Sequence, residues 1–475
     1  MLIKQGAKVF EVEVSENETI LDAIKRTDAR FVAPCNGQGK CGKCKVLVDG
    51  VLLSACQTKA KNDLTVEIVD SSYSVLSKHL DINFPIDKDE GLGLVLDLGT
   101  TTLVYSFVDL KTGEDIKIMS SLNPQTKYGS DVISRVDYAT KNGVQDLFHE
   151  INERTKETID SFLSQSEYQR VKKFVVTGNT IMLHIFVNED IESFGHYPFK
   201  AHFLESLRLK GEELGFERVD EIILLPCFSS FVGADLTAGY LASNLSSGNN
   251  VLLDIGTNGE IVSCFEGQIT AISTAAGPAF EGANIECGIG GVEGAISHFY
   301  YDGNKISYDV INNVKPIGVC GSGLIDLISI LKDQGLIDES GLLNVSNKKY
   351  MIDDKLYLSQ KDVRQIQLSK SAICSGIMTI FKINNIKFNE VDHVYISGGF
   401  GYYINLNNAM NINLLPKELK DKYVVLGNTS LLGGKMCLLN SSLLEQLCKR
   451  AIDSQSINLS SNQIFMDYFI ENMSF

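Results

Sequence analysis

Four cysteines in this chain stand close enough together to act as one ligand set. Cys35, Cys41, Cys44 and Cys56 fall in PCNGQGKCGKCKVLVDGVLLSAC with the spacing C-x5-C-x2-C-x11-C. Three thiols share a glycine-rich loop and the fourth arrives from the hairpin that follows. Four thiolates so disposed can surround two irons, and Gly37, Gly39 and Gly42 let loop N–H groups turn toward the sulfurs. A structural zinc is the competing reading, but zinc sites present two short C-x2-4-C pairs and only one is present.

A second chemistry sits at two matching tips. LGLVLDLGTTTLVYSF from Leu92 returns in altered form as VLLDIGTNGEIVSCF from Val251, and Asp97 and Asp254 occupy equivalent places 157 positions apart. In each copy an apolar strand leads to Asp, a hydrophobe and Gly-Thr, and a second apolar strand follows, which predicts a buried β-hairpin. A repeat on this scale indicates two related subdomains facing across a cleft, since solenoid repeats are far shorter. Gly lets the backbone turn close to a ligand, and neighbouring N–H and hydroxyl groups then suit phosphate oxygens. Thr100, Thr101 and Thr102 supply hydroxyls, and Asp97 and Asp254 are carboxylates suited to Mg2+. A plain Asp-Gly turn would explain one copy but not two in matching context. The P-loop-like Gly37–Cys44 run ends in Cys rather than Ser or Thr and lacks the strand and helix that motif requires.

At 475 residues, with 44% hydrophobic and 21% charged residues, the chain has the length of about three folded domains. Its net charge of −16 argues against nucleic acid or an anionic membrane as partner. No run reaches the 18 apolar residues of a membrane span and the first residues lack a signal-peptide core, so the expectation is a cytoplasmic protein. Eleven cysteines, odd in number and unevenly spread, argue against disulfides.

The elements that must position these groups divide as follows. Residues 1–72 read as a small β-rich unit with strands near Leu2–Lys4, Phe10–Val14, Lys45–Val48 and Leu64–Val69. Thr19 N-caps its one helix, and Asp49-Gly50 makes a hairpin turn. Residues 73–90 read as a linker, long enough to span roughly 20–25 Å as a coil. The first half of the larger unit covers 91–248. Its third strand is DIKIMSSL, and the segment from Asn123 enters a helix with Val132, Ile133 and Val136 on one side. His184 lies in an apolar helix as a core histidine, and a helix with Gly233 and Gly239 packs closely on a neighbour. The second half covers 249–475. It contains the Gly/Ala-rich segment Ser273–Asn284, a helix with Leu324, Ile328 and Leu331 inward, and a strand ending in Gly398, Gly399 and Phe400. The seven remaining cysteines share no ligand spacing and read as buried small hydrophobes.

These motifs resemble a known family, the reductive activators of corrinoid proteins. The cysteine spacing is similar to that of ferredoxins with an x5 loop. LDLGTTT, LDIGTNGE and YISGGFG resemble the two phosphate motifs and the adenosine motif of the acetate and sugar kinase, heat-shock protein and actin (ASKHA) superfamily. NPQTKYGSDVISR, TGNTIMLHIF and STAAGPAFEGANI resemble segments particular to the activators. The resemblance implies an α+β, β-grasp [2Fe-2S] ferredoxin domain followed by an α/β ATPase of two ribonuclease-H-like, actin-like subdomains. Larger relatives carry an extra small domain at the junction, where this chain has only a short one.

The implied activity is ATP-dependent transfer of one low-potential electron from the [2Fe-2S] cluster to a cobalt(II) corrinoid protein, restoring cobalt(I). Implied cofactors are the cluster, ATP and Mg2+. Implied partners are a corrinoid protein or corrinoid-dependent methyltransferase and an electron-donating reductase or ferredoxin, with the oligomeric state open and a homodimer among the options. Nucleotide is expected between Gly99, Thr100, Thr101 and Thr102 on one side and Gly256, Thr257, Asn258 and Gly259 on the other, with Gly398, Gly399 and Phe400 against adenosine. Asp97 or Asp254 would help bind magnesium, and Asp254 or Glu260 would orient water. Ser273–Asn284 is expected to face cobalt. Two other readings stay open: a redox-sensing small-molecule kinase of the same superfamily, and an ATP-regulated electron-carrier scaffold.

Overall fold

The computed structural model describes the chain apart from residues 6–7, 16–17, 28, 30, 32–43, 69–83 and 130 and the side chains of 399, 400 and 402. The N-terminal unit is a five-stranded sheet of β1 (Leu2–Gln5), β2 (Lys8–Glu11), β3 (Lys45–Val48), β4 (Val51–Ser54) and β5 (Thr65–Ile68), ordered β2-β1-β5-β3-β4. β1 and β5 run parallel at its centre. Helix α1 (Ile20–Lys25) starts at the expected cap: the Thr19 hydroxyl accepts from Asp22 N and the Asp22 carboxylate accepts from Thr19 N. Its buried residues Ile20, Leu21, Ala23 and Ile24 close a small core with Ile3, Val46 and Val66. The second strand ends at Glu11 rather than Val14: Val12 still exchanges bonds with Met1, and Val14 N then turns to Asn62 Oδ1.

Lobe I contains β6 (Leu92–Leu98), β7 (Thr102–Asp109), β8 (Asp115–Leu122), α2 (Val132–Asn142), α3 (Gln145–Leu163), β9 (Val171–Gly178), α4 (Thr180–Phe186), β10 (Leu207–Lys210), β11 (Val219–Leu224) and α5 (Ala234–Ala242). Lobe II opens with β12 (Asn250–Ile255), β13 (Gly259–Phe265) and β14 (Gln268–Thr274). It continues through β15 (Ala295–Tyr301), β16 (Ile306–Val310), β17 (Gly318–Val319), α6 (Gly321–Asp333), β18 (Lys349–Met351), β19 (Tyr357–Ser359) and α7 (Gln360–Ile383). Its last elements are β20 (His393–Ser397), α8 (Gly398–Tyr403), α9 (Leu406–Asn411), β21 (Tyr423–Val425), α10 (Thr429–Leu439), α11 (Ser441–Ile452), β22 (Gln455–Ser456) and α12 (Gln463–Glu471).

The sequence repeat is a repeat of topology. One sheet is ordered β10-β11-β9-β6-β7-β8 and the other β21-β20-β12-β13-β14-β22. In each, three strands form an antiparallel meander and a parallel strand, β9 or β20, adds beside the first. Strands covered on both faces read as near-continuous apolar runs, and β6 and β12 do so. Asp97 thereby stands beside Thr177, and Asp254 beside Ser397.

Two helices join the lobes. α10, although late in the chain, packs on β6 and β9 of lobe I, while α5 reaches β12 and β13 of lobe II. They cross at Gly433, where a Cβ would fall 2.0 Å from the Ala238 carbonyl oxygen, so only glycine lets the backbones meet. Gly239, expected to pack closely, faces Leu252 and Thr429 at the same crossing. Lys435 on α10 pairs with Asp115 on β8 at 2.7 Å.

Three local expectations take definite form. His184 is buried, with Nδ1 2.8 Å from Thr180 O and Nε2 accepting from His202 N, and burial lowers its pKa to about 4. Ile133, expected to face inward with Val136, is 53% exposed, because α2 turns Arg135, Val136 and Ala139 to the core instead. The C-terminal part of 73–90 is fastened to the lobes: Asp87 N bonds Leu439 O, Asn440 Nδ2 bonds Pro85 O, and Phe84 and Ile86 pack on the core.

Candidate functional site

The first tip is a tight turn between β6 and β7. A Cβ on Gly99 would lie 2.4 Å from Thr102 O, so the turn closes only with glycine there. Its carbonyls are held from behind. Asn123 Nδ2 donates to Gly99 O at 2.9 Å, Asn123 N to Thr101 O at 2.9 Å, and Arg135 Nη2 to Thr100 O. Asn179 Nδ2 donates to the Thr100 hydroxyl at 3.1 Å. Asp97, two residues before the turn, accepts from Asn428 Nδ2 and Ser430 Oγ, both at 2.8 Å. Asn428 can reach it because its own Oδ1 caps α10 through Leu431 N, leaving the amide nitrogen turned to lobe I.

The second tip repeats the plan with different neighbours. Asp254 is paired with Glu260 across β12 and β13, and Ser397 Oγ donates to Asp254 Oδ2 at 3.1 Å. Gly398 has φ of +84°, and a Cβ there would meet Asp254 Oδ1 at 2.7 Å. The turn is closed by Gly256 N to Asn258 O, and the Thr257 hydroxyl donates to Glu281 Oε1 at 2.9 Å. Thr274 Oγ1 holds Gly259 O at 3.1 Å. Gly399 and Phe400 lie in α8, directly after Gly398.

Between the tips stands an acid that sequence reasoning missed. Asp235, in the first turn of α5, joins Asp97, Asp254 and Glu260 on the partly accessible floor of the cleft. Burial raises the pKa of all four. Asp254, also opposed by Asp97, reaches about 6. Asp235, opposed by Asp254 and then by Asp97, reaches about 7. Glu260, opposed by Asp235 and Asp254, is raised well above the ordinary glutamate value. No cationic side chain is among the groups that set their charge. Such a cluster is relieved by protons or by a hard cation. Among the described residues no three His, Cys, Asp or Glu side chains close on one point, so the acids do not form a complete cage. Mg2+ commonly takes one or two carboxylates and completes its shell with phosphate and water.

Cys44 and Cys56 flank the open end of the β3–β4 hairpin, where Ala55 N donates to Cys44 O at 2.7 Å. Cys44 is buried and Cys56 half-buried, which suits two thiols of one inward ligand set. Cys35 and Cys41 lie outside the described residues. Next to Cys44, Lys45 Nζ donates to Glu286 O of lobe II at 3.0 Å, and Lys355 Nζ donates to Gly50 O at 3.1 Å. Six of the seven other cysteines are buried and Cys448 is partly so.

Ser273–Asn284, expected to face cobalt, is largely turned inward. Thr274, Ala276, Ala279, Phe280 and Ala283 are buried, Ser369 Oγ donates to Ala276 O at 2.6 Å, and Glu281 reaches the second tip. Its small residues let this backbone pack closely on α6 and α7, while Ala275 and Asn284 stay exposed.

Comparison with known proteins bears on the whole arrangement. The C-terminal domain of RACo, the ASKHA domain, matches residues 249–475. The RACo middle region matches 92–248, and the 2Fe-2S iron-sulfur cluster binding domain matches 4–65. The corrinoid activation enzyme RamQ of Eubacterium limosum is 31% identical over 81% of this chain and 70% of its own. The chain belongs to the RACo family. A second relative, the [Co(II) methylated amine-specific corrinoid protein] reductase of Methanosarcina barkeri, is 26% identical over 81% of this chain and 77% of its own. The solved reductive activator for corrinoid, iron-sulfur protein aligns over 100% of this chain and 98% of its own, with a TM-score of 0.71 and 25% identity. The RACo domains thus account for the β-grasp unit and the two ASKHA lobes, and with them for a [2Fe-2S] cluster and ATP as the bound groups. Among the described residues no helix is long and apolar enough to cross a membrane.

Proposed function

We propose that this protein is an ATP-dependent reductive activator that returns a cobalt(II) corrinoid protein to cobalt(I) by one low-potential electron. The observation that carries the reading is the approach of Asp97 and Asp254, with their glycine turns, across the α5–α10 crossing of a chain whose sequence also carries the four spaced cysteines. Membership of the RACo family and the names of its relatives agree with it. A bound [2Fe-2S] cluster supplies single electrons, and Cys35, Cys41, Cys44 and Cys56 are the residues to hold it. Clusters of the plant type lie near −400 mV, and each ~59 mV of shortfall costs about tenfold in a one-electron equilibrium. Nucleotide turnover provides the missing drive.

The nucleotide phosphates lie between Gly99–Thr102 and Gly256–Gly259, and Gly398, Gly399 and Phe400 border the adenosine. Asp97 or Asp254 would be the residues to hold Mg2+, and a bound divalent cation would offset the charge of the four clustered acids. Asp254 or Glu260 then accepts a hydrogen bond from the attacking water. Working boundaries are 1–72 for the cluster unit, 73–90 for the junction, and 91–248 and 249–475 for the lobes. The cluster receives its electron from a reductase or ferredoxin. The Thr257–Glu281 bond and the Lys45–Glu286 bond lie at two ends of one short lobe II segment, a direct route by which nucleotide contact alters the seat of the cluster unit.

The test is ATP hydrolysis in the presence of the corrinoid partner. Asp97→Asn and Asp254→Asn should each lower turnover by at least about a hundredfold with the fold retained, the scale of losing one charged participant in a phosphoryl-transfer site. Unchanged hydrolysis in both variants contradicts this placement.

A further inference from the structure

Among the described residues Arg135 is the largest fully buried side chain, and none of its hydrogen bonds goes to a carboxylate. Its Nε donates to Gly129 O at 3.1 Å, and its Nη1 to Gln125 Oε1 and to Met182 Sδ, each at 2.9 Å. Its Nη2 donates to Thr100 O in the first tip. A guanidinium so deep normally sits against an acid, because an unpaired buried charge is costly. Asp131, which acts on it through space, uses its oxygens on Ser134 as the cap of α2. Burial lowers the pKa of Arg135 to about 9, which still leaves it charged at neutral pH.

The surrounding bonds give that charge a direction. All three carbonyls of Gly99, Thr100 and Thr101 are drawn toward Asn123 and Arg135, away from the cleft. Among the described residues the Thr100 and Thr101 N–H groups donate to no protein acceptor. A turn whose carbonyls are tied back and whose N–H groups are left over is a concavity for an anion. Among the described residues no buried cation stands behind the lobe II tip, which is lined by Asp254, Glu260 and Asp235. Both tips carry a buried acid, Asp97 and Asp254, and the first has in addition a buried cation behind its turn.

We propose that Arg135 is a positioning residue for nucleotide phosphate: from behind the Gly99–Thr101 turn it fixes the turn's carbonyls and supplies the positive charge that the bound polyphosphate neutralises. Its reach is electrostatic and through the turn, not by direct contact. The inference rests on the placement of nucleotide between the two tips. It goes further in assigning the phosphate chain to lobe I and the cation to the acids. Gln125→Glu would set a carboxylate against Arg135, where Gln125 Oε1 already accepts from its Nη1, at the cost of the Nε2 donation to Leu147 O, so its melting temperature is read beside its affinity.

The test is the affinity of the cluster-loaded protein for AMP, ADP and ATP, measured by calorimetry for the native chain, Arg135→Met and Gln125→Glu. Both variants should weaken ADP and ATP by roughly ten- to a hundredfold, the worth of a charged hydrogen bond, while AMP changes by less than about threefold. If Arg135→Met does not fold, Gln125→Glu decides alone. Equal loss for all three nucleotides in Gln125→Glu means a merely structural role, and unchanged ADP and ATP binding means the charge is not felt; either result overturns the proposal. Absence of any nucleotide binding by the native chain would instead overturn the placement of the site itself.

Discussion

Asp235 shows how much of the site's energetics lies in one side chain. It sits among Asp254, Asp97 and Glu260, and its pKa is raised to about 7 by burial and then by Asp254. An acid raised in the folded state binds its proton more tightly there than in the unfolded chain. Stability contributed by that proton is present at low pH and is lost as pH rises toward 7. The nucleotide-free protein should therefore melt lower at pH 8 than at pH 5.5, and Mg2+ with nucleotide should flatten that slope. Asp235→Asn should raise the nucleotide-free protein's stability at pH 8 by about 1–2 kcal/mol, a few degrees by calorimetry. No gain at pH 8 would show that these acids do not strain the empty site. At the other centre, Cys44→Ser should abolish a cluster that otherwise analyses as two irons and two sulfides per chain. Circular dichroism melting of the lobes should be unchanged, because Cys44 belongs to a separate small core. A stoichiometric zinc in anaerobically prepared native protein would contradict the assignment.

At the scale of elements, the crossing of α5 and α10 holds the two tips at their working distance. Gly433 permits the contact with Ala238, and each helix carries residues of the other lobe's site at its start: Asp235 on α5, and Asn428 and Ser430 at α10. Gly433→Val should push the helices apart, cost about 2–3 kcal/mol in stability as an overpacked contact, and weaken nucleotide binding though it touches no ligand. Retention of native stability and affinity would place the hinge elsewhere. Much of this was readable in the residues. The two Asp-x-Gly turns, the capped α1, the α6 stripe and the β3–β4 hairpin follow from local patterns, and the structure builds each as a local element. Asp235, Asn428 and Ser430 were not readable as site residues, because their partners are remote: 331 residues separate Asn428 from Asp97. The available signals were a Gly-Ala-Asp start to a glycine-spaced helix and an Asn cap, both also ordinary helix starts. Ile133 misled because a one-sided apolar pattern cannot foresee that α2 turns Arg135 inward to bond Thr100 O in the first tip.

Over the whole molecule, three cores are linked by contacts that can transmit nucleotide state. The cluster unit rests on lobe II through Lys45 and Lys355, and residues 84–87 are fastened at the α10–α11 junction, so the junction is tethered near the hinge rather than loose along its length. Coupling of this kind is a free-energy linkage between the cleft and the cluster's seat. The most direct measurement is the absorbance of a cobalt(II) corrinoid protein mixed with this protein, a low-potential donor and Mg2+, with and without ATP. Conversion to cobalt(I) should require ATP, Mg2+ and the intact cluster together, and should stop when a non-hydrolysable analogue replaces ATP through many turnovers. Equal conversion with ATP omitted would contradict the account.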